Sequence, residues 1–306
     1  MDKEVVRLRI LASGCVAAGF AAAGPVDEDV ATRLDEWVAR GENAGMEYMR
    51  RHALLKRDPG NVLPGVRTVI SVAFSFNPPR RRDPYLPVIA AYAYGDDYHD
   101  VIRARLAPVV ESLKNEAGGE WRICIDSAPL AERYWAVKGG IGYIGRNGMV
   151  IVDGYGSLVF LAEILSTLPF APDAPSEKRC MECGACLKAC PNHALSPEGT
   201  VDCRRCLSYL TIEHKGEWSD AMTEAMHAEA GRHTLFGCDQ CLTVCPHNRS
   251  IPDTTVNEFH LRPSYSSLTK ERSVMFSGEE FSSIFKGSAI KRAKLSGFLR
   301  NARNLS

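Results

Sequence analysis

Residues 180–191 read Cys180-Met-Glu-Cys183-Gly-Ala-Cys186-Leu-Lys-Ala-Cys190-Pro191, and the spacing of these four cysteines decides what kind of chain this is. C-x2-C-x2-C-x3-C-P is the run of bacterial ferredoxins. Three thiolates separated by two residues wrap a tight loop around one cubane. The fourth, followed by proline, turns away and in two-cluster proteins ligates the other cluster. Downstream stand Cys203, Cys206 and then Cys238-x2-Cys241-x3-Cys245-Pro246. Zinc is the alternative, but it takes four ligands, usually as two separated pairs. An unbroken run followed by a second Cys-Pro fits two [4Fe–4S] clusters better. Swapped ligation gives one cluster Cys180, Cys183, Cys186 and Cys245. The other takes Cys190, Cys238, Cys241 and one of Cys206 and Cys203; spacing does not choose between these two.

Working outward, nine of the eleven cysteines lie between Cys180 and Cys245, and only Cys15 and Cys124 fall outside. A disulfide scaffold in a chain of 306 residues would spread them. Local clustering means metal, and thiolate metal sites belong in a reducing cytoplasm. Lys plus Arg and Asp plus Glu are 37 each, so the net charge is zero. That excludes nucleic-acid binding by bulk charge and leaves room for a local basic patch. At 45% hydrophobic residues the chain is globular. No apolar run reaches the ~18 residues of a membrane span. Ile10–Ala23 superficially resembles a secretory signal, but Asp2 and Glu4 occupy its would-be positive region. The expectation there is an amphipathic first helix from Lys3 and a turn at Gly24-Pro25.

Residues 1–170 alternate strand and helix signals. Thr68–Phe76 is β-branched and apolar, and Val88–Tyr94, Trp121–Ile125, Met149–Val152 and Leu158–Leu165 read as further strands. Asp100–Ala117 carries a helical apolar stripe, and Ala128–Lys138 reads as a second helix before Gly139-Gly140. A mixed α/β (α+β) domain is expected. Pro169–Pro175, with three prolines, marks a boundary. The cysteine-rich unit covers 171–250, and a helical, basic segment covers 251–306. From Lys286 onward there are six basic residues and no acidic one. No dinucleotide or phosphate-loop fingerprint follows a strand; Gly139-Gly140-x-Gly142-x-x-Gly145 follows a helix. The residues alone therefore describe an iron–sulfur oxidoreductase with an unidentified acceptor.

Several strings, in order, resemble the epoxyqueuosine reductases. They are Tyr92-Ala-Tyr-Gly-Asp-Asp-Tyr-His99, Ile125-Asp-Ser-Ala-Pro129, Glu132-Arg-Tyr-Trp-Ala136, Gly140-Ile-Gly-Tyr-Ile-Gly-Arg-Asn147 and Gly156-Ser157. Cys206-Leu-Ser-Tyr-Leu-Thr-Ile-Glu213, Gly237-Cys-Asp-Gln-Cys241, Val244-Cys-Pro-His-Asn248 and Arg300-Asn-Ala302 follow. The resemblance implies a nitroreductase-like cobalamin-binding domain, then a bacterial ferredoxin-like domain with two [4Fe–4S] clusters, then a short helical tail. It implies reduction of epoxyqueuosine to queuosine at the wobble base of a tRNA, with electrons from an external low-potential donor. It selects Cys206, which opens the Cys-Leu-Ser-Tyr string, as the ligand. It makes Asp126 the proton donor and puts cobalamin contacts at Arg57, Ala90, Asp126, Val150 and Leu161, with Ser208 and Asp239 beside the second cluster. The chain departs from the family pattern at Asn192, Leu242 and His247, the last replacing a usual Trp.

Blander readings stand beside these. Asp126 precedes a helical stretch and fits a helix N-cap. His99 fits a structural histidine at a helix start, and Arg133 either pairs Asp126 or a phosphate or is solvated. Arg80-Arg81-Arg82 and the basic tail are solvated surface or contacts to tRNA phosphates. Two rival functions remain at this level: a cobalamin and iron–sulfur reductase of a small molecule, as in reductive dehalogenases, and a non-catalytic electron-transfer module.

Overall fold

A computed structural model describes residues 1–306. Helix α1 (Lys3–Leu11) starts at Asp2, whose carboxylate accepts from the Glu4 and Val5 amides. It stops at Leu11, and Ala17–Ala22 is an edge strand, β1. The first helix is thus shorter than its composition suggests: Gly14, at φ +97°, breaks it, and pairing to a neighbour makes a strand of residues with little intrinsic preference for one. Helices α2 (Glu28–Ala39) and α3 (Glu47–His52) lead to β2 (Thr68–Ser75). The Val88–Tyr94 stretch is extended only over β3 (Val88–Ile89) and then coils into a 3-10 turn at Ala91–Ala93. Then come α4 (Tyr98–Ala117), β4 (Trp121–Cys124), α5 (Glu132–Lys138), β5 (Gly142–Ile144), β6 (Val150–Val152) and β7 (Val159–Ser166).

One antiparallel sheet, in the order β1-β2-β7-β4, organises this part. All eight residues of β2 are buried, because helices cover both faces. Side chains alternate between the faces with period two. Ile70, Val72 and Phe74 face α1 and α4, joining Ile10, Ile102, Leu106 and Leu113 in the main core. Each such side chain contributes about 1.5–3 kcal/mol by leaving water. Val69, Ser71 and Ala73 face α5. That helix lies close: a Cβ on Gly19 would stand 1.9 Å from the Gly139 carbonyl oxygen, so only glycine fits.

The cysteine-rich part holds α6 (Ala185–Ala189), α7 (Asp220–His227), α8 (Glu229–Arg232), β8 (Thr234–Phe236) and α9 (Gln240–Thr243). Strand β8 runs parallel to β3. The chain closes with α10 (Lys270–Val274), α11 (Gly278–Ile284) and α12 (Lys294–Arg303). Phe276, Phe281, Phe285 and Phe298 pack ring on ring, with centroids 5.0–5.7 Å apart. They belong to the same core as the sheet, so the closing segment braces the first domain.

The basic tail is less available than its composition suggests. Arg300 is only 6% exposed; it donates to the carbonyls of Leu210, His214 and Gly216 and lies over the Trp218 ring. Arg292 pairs with Glu213 at 2.8 Å. Lys291 and Lys294 do not share one helix, because the backbone turns left-handed at Lys294, φ +58°. Lys286, Lys291, Lys294 and Arg303 are exposed. In the Arg80-Arg81-Arg82 run, Arg82 is buried and donates to the carbonyls of Pro87, Tyr265 and Leu268.

Candidate functional site

The loop before α6 curls so that Cys180, Cys183 and Cys186 line one recess, and Cys245 reaches it from beyond α9. Arg146, Asn147, Pro246 and His247 complete its wall, around a space of ≈ 340 Å³ counted out to solvent. Cys183 and Met181 face water, the latter 64% exposed. His247 stacks edge-on to Tyr143, 5.8 Å between centroids, with Nδ1 3.3 Å from the phenol oxygen.

A second quartet lies deeper. Burial raises the Cys241 thiol, and the nearby thiols of Cys238, Cys206 and Cys190 raise it further. Cys238 is pushed up to about 12, first by burial and then by Cys206. The Ser208 and Tyr209 amides point at Cys206. Burial raises the Cys203 thiol first, and Cys206, Asp202 and Glu42 raise it further against Arg133. Buried thiols that repel one another's charge are stable as thiolates only around cations, since metal inverts the local preference. No three His, Cys, Asp or Glu side chains converge on one metal-ion point. The first quartet lines a recess rather than one point, as the corners of a cubane require.

Two joints tie this unit to the first domain. Asn248 accepts from the Ser157 amide at 2.7 Å and donates to the Leu242 carbonyl at 2.8 Å. Asp239, beside Cys238, accepts from the Ala91 amide at 2.6 Å, and burial raises its carboxyl. Gly237, at φ +75°, lies so close to Ala90 that an added Cβ would stand 2.5 Å from the Ala90 Cβ. Ala90 and Asp239, distant in sequence, are thus brought together. Val150 and Leu161 join one apolar cluster with Ala73 and Ile141. Arg57 is held at the α2 side by Asp35, with its Nε buried and unpartnered.

Asp126 follows β4 in a left-handed conformation, φ +50°. It is not a helix cap: α5 begins only at Glu132, after Ala131, because Pro129 delays it. The Glu132 carboxylate accepts the Asp126 amide at 2.7 Å. The Asp126 carboxylate accepts from the Tyr98 hydroxyl at 3.0 Å and from His99 Nε2 at 3.3 Å. His99 Nδ1 bonds Asp97 at 2.7 Å. Asp97 is also the N-cap of α4, which fixes the start of that helix and the imidazole on it. Asp126 lies in a recess, walled by protein yet 60% exposed at its side chain.

These contacts set the protons. The His99 hydrogen bond holds the Asp126 carboxyl below its usual range, against the opposing effect of burial. Burial works to lower His99, but the carboxylates of Asp126 and Asp97 outweigh it and raise the imidazole to about 9. Burial, then the Asp126 charge, raises the Tyr98 phenol, so it stays a donor. At neutral pH the pair of His99 and Asp126 holds one proton, on the imidazole. Arg133 takes no part; it donates to the Gly148 carbonyl at 2.6 Å. Tyr98 and Glu132 stand inside the family strings, yet sequence reasoning gives them no role. Glu163 escapes it altogether, although one acid in the apolar run Val159–Ser166 is an anomaly readable from sequence.

Two family models match the chain: "Epoxyqueuosine reductase QueG, DUF1730" over residues 56–127, and "4Fe-4S double cluster binding domain" over residues 179–248. Fold and site thus define a two-cluster iron–sulfur oxidoreductase with a carboxylate and imidazole recess. The epoxyqueuosine reductase of Vibrio cholerae is 36% identical over 298 residues, covering 94% of this chain and 79% of that one. That of Cyclobacterium marinum is 37% identical over 278 residues, covering 90% and 87%. A solved epoxyqueuosine reductase, crystallised with an epoxyqueuosine-modified tRNA stem loop, superposes with a TM-score of 0.88 at 28% identity, covering 99% of this chain and 80% of that one. The chain belongs to the epoxyqueuosine reductase family.

Proposed function

We propose that this chain reduces epoxyqueuosine at the wobble position of a tRNA to queuosine, the last step of queuosine biosynthesis. The observation that carries the reading is the hydrogen-bonded series of Asp97, His99 and Asp126, with Tyr98, opening into a recess in a chain of this family.

Cys180, Cys183, Cys186 and Cys245 are assigned to one [4Fe–4S] cluster and Cys190, Cys206, Cys238 and Cys241 to the other. Cys206 is preferred to Cys203 because it shares the charge environment of the other three. With its clusters bound, the first quartet, whose Cys183 is exposed, would be the side open to an external low-potential donor, and the clusters would supply one-electron transfer. Cobalamin is assigned to the contacts Arg57, Ala90, Asp126, Val150, Leu161, Ser208 and Asp239. The unpartnered buried Nε of Arg57 fits a ligand bearing amide oxygens, and the half-buried Leu161 fits its apolar flank, while the buried Val150 would meet it through its main chain. When bound, it supplies the electron-rich cobalt that the cleavage of an epoxide C–O bond requires. The divisions 1–170, 171–250 and 251–306 remain our functional boundaries, with the last segment as a brace. Thiolate clusters and a tRNA substrate both favour the cytoplasm.

Opening an epoxide puts negative charge on oxygen, so an acid must meet it. Asp126, on the open side of the recess, is the catalytic residue that presents the proton. His99 and Tyr98 are positioning residues: the imidazole supplies the proton at Asp126 Oδ2, and Asp97 fixes the imidazole. The exposed Lys286, Lys291, Lys294 and Arg303 are candidates for tRNA phosphates. The test is mass analysis of tRNA from cells lacking this chain. Epoxyqueuosine should accumulate and be cleared when the chain is restored; unchanged queuosine in its absence refutes the reading.

A further inference from the structure

Reduction of an epoxide to an alkene consumes two electrons and two protons and releases water. His99 and Asp126 together hold one proton. The second needs a source of its own, and a buried acid lies behind the Asp126 loop. Glu163, on the central strand β7, is 0% exposed, and neither of its carboxylate oxygens has a partner. It pairs in register with Ser71 on β2 and with Cys124 on β4, so the three side chains share the face that α5 covers. Ser71 Oγ is buried and unpartnered, and so is the indole Nε1 of Trp135 on α5. Glu132 stands one turn before Trp135 on the same side of that helix. It also accepts the Asp126 amide. Four unpartnered polar atoms in one buried layer, two of them on a carboxyl, mark a place that takes ordered water and a proton.

We propose that Glu163 and Glu132 form an internal proton store that reloads Asp126, so that one recess delivers both protons of a turnover. The inference rests on the function proposed above. Asp126 gives the first proton to the epoxide oxygen as its first C–O bond breaks. A proton then moves from Glu163 through Glu132 to the Asp126 carboxylate, over water held by Ser71 and Trp135. Asp126 gives this second proton to the departing oxygen, which leaves as water as the second C–O bond breaks and the alkene forms. The two electrons are those of the reduction itself, from the external donor. The store refills from solvent through the open face of Asp126 between turnovers.

The charged and titratable neighbours favour a neutral acid here. Lys56, whose amine donates to the Leu130 carbonyl at 2.7 Å, is the nearby cation, with Arg133 beyond it on α5. Asp126 and the thiol of Cys124 face the pair from β4 and its loop. Burial raises Glu163 well above the carboxylate range and Glu132 pushes it higher; burial and the Asp126 charge raise Glu132 in turn.

The test uses the holoprotein and Glu163→Gln, which keeps the shape of the neutral acid and removes its proton. The infrared difference, parent minus variant, should show a protonated-carboxyl carbonyl band at neutral pH that shifts in heavy water. This readout needs no substrate, so it stands or falls separately from the assigned reaction. With epoxyqueuosine-bearing tRNA, kcat should fall about 10²-fold, within the range for losing a proton donor, at unchanged KM. The solvent isotope effect should rise. Should Glu163→Gln not fold, Glu132→Gln, which retains an acceptor for the Asp126 amide, should give the same kinetic pattern. A difference spectrum without the carboxyl band, or a variant with parental kcat and isotope effect, overturns the proposal.

Discussion

Replacing His99 by Gln tests where the first proton resides. Gln keeps a polar side chain that can donate to Asp126 but holds no titratable proton. In the parent, the imidazole sits at about 9 against an ordinary 6.5, because two carboxylates outweigh burial. At 1.36 kcal/mol per pH unit that raise is worth roughly 3 kcal/mol to the protonated form. The side chain is 34% exposed, so solvent screening leaves about 1–2 kcal/mol. The sign follows from linkage. The folded value is raised, so this stabilisation is fully present below about 6.5 and is lost as pH rises through about 9. Denaturant titrations should therefore show the parent losing about 1–2 kcal/mol across that window relative to the variant. Turnover should follow the same proton. The parent should lose activity as pH passes about 9. The variant should be slower by ~10²-fold or more at neutral pH, with its alkaline limb moved toward acid, because Asp126 alone must then hold the proton. An alkaline limb still near the parental value in the variant would refute the imidazole as the proton holder.

Four further outcomes are expected. Reconstituted protein should hold about eight irons; Cys203→Ala should leave that content unchanged and Cys206→Ala should lower it, and the reverse result would exchange the two assignments. Asp126→Asn should fold and keep both clusters while turnover drops ~10²–10⁴-fold; near-parental turnover would remove it from catalysis. Arg300→Ala should cost about 1–3 kcal/mol in chemical unfolding, because the His214 and Gly216 carbonyls lose their donor and the Leu210 carbonyl keeps only the Trp218 indole. Lys291 and Lys294 replaced by Ala should fold normally but flatten the salt dependence of tRNA binding, by about 0.7 for each phosphate no longer neutralised; an unchanged slope would make them plain surface.

The parts legible in the sequence are those in which chemistry repeats at fixed spacing. The cysteine run, the β-branched block at Thr68–Phe76 and the apolar stripe of Asp100–Ala117 announce local structure through local pattern, and the structure places β2 and α4 there. What is not legible depends on partners far away. The alanine-rich Ala17–Ala22 is a strand only because β2 offers it a ladder. Arg300 reads as one more cation in a basic tail; its burial follows from carbonyls some ninety residues upstream. Asp126 reads as a cap because capping is what Asp does before a helix. Its actual partners, Tyr98 and His99, stand on α4, and no spacing rule brings them to it.

These long-range clasps bear on function because electrons and proton must converge on the same C–O bond, the electrons at carbon and the proton at oxygen. The second quartet and the Asp126 recess come from separate stretches of the chain, so their separation is set by what bridges them. Ala90 and Asp239 meet through the β3 and β8 pair and the Ala91 amide. Asn248 holds the turn at Ser157. Arg300 and Asn301 bind the segment after Cys206, through the carbonyls of Leu210 and Thr211. Apart from the β3 and β8 pair, each bridge is a side chain bonded to main chain in a buried or half-buried setting, where loss of one partner costs about 1–3 kcal/mol. A break in any of them would release the quartet's loop without touching a thiol or the acid. The strings that mark this family are therefore of two kinds. Some carry the reacting groups, as at Asp126 and the cysteines. Others, such as Arg300-Asn-Ala302 and Gly156-Ser157, hold those groups at a fixed distance from one another.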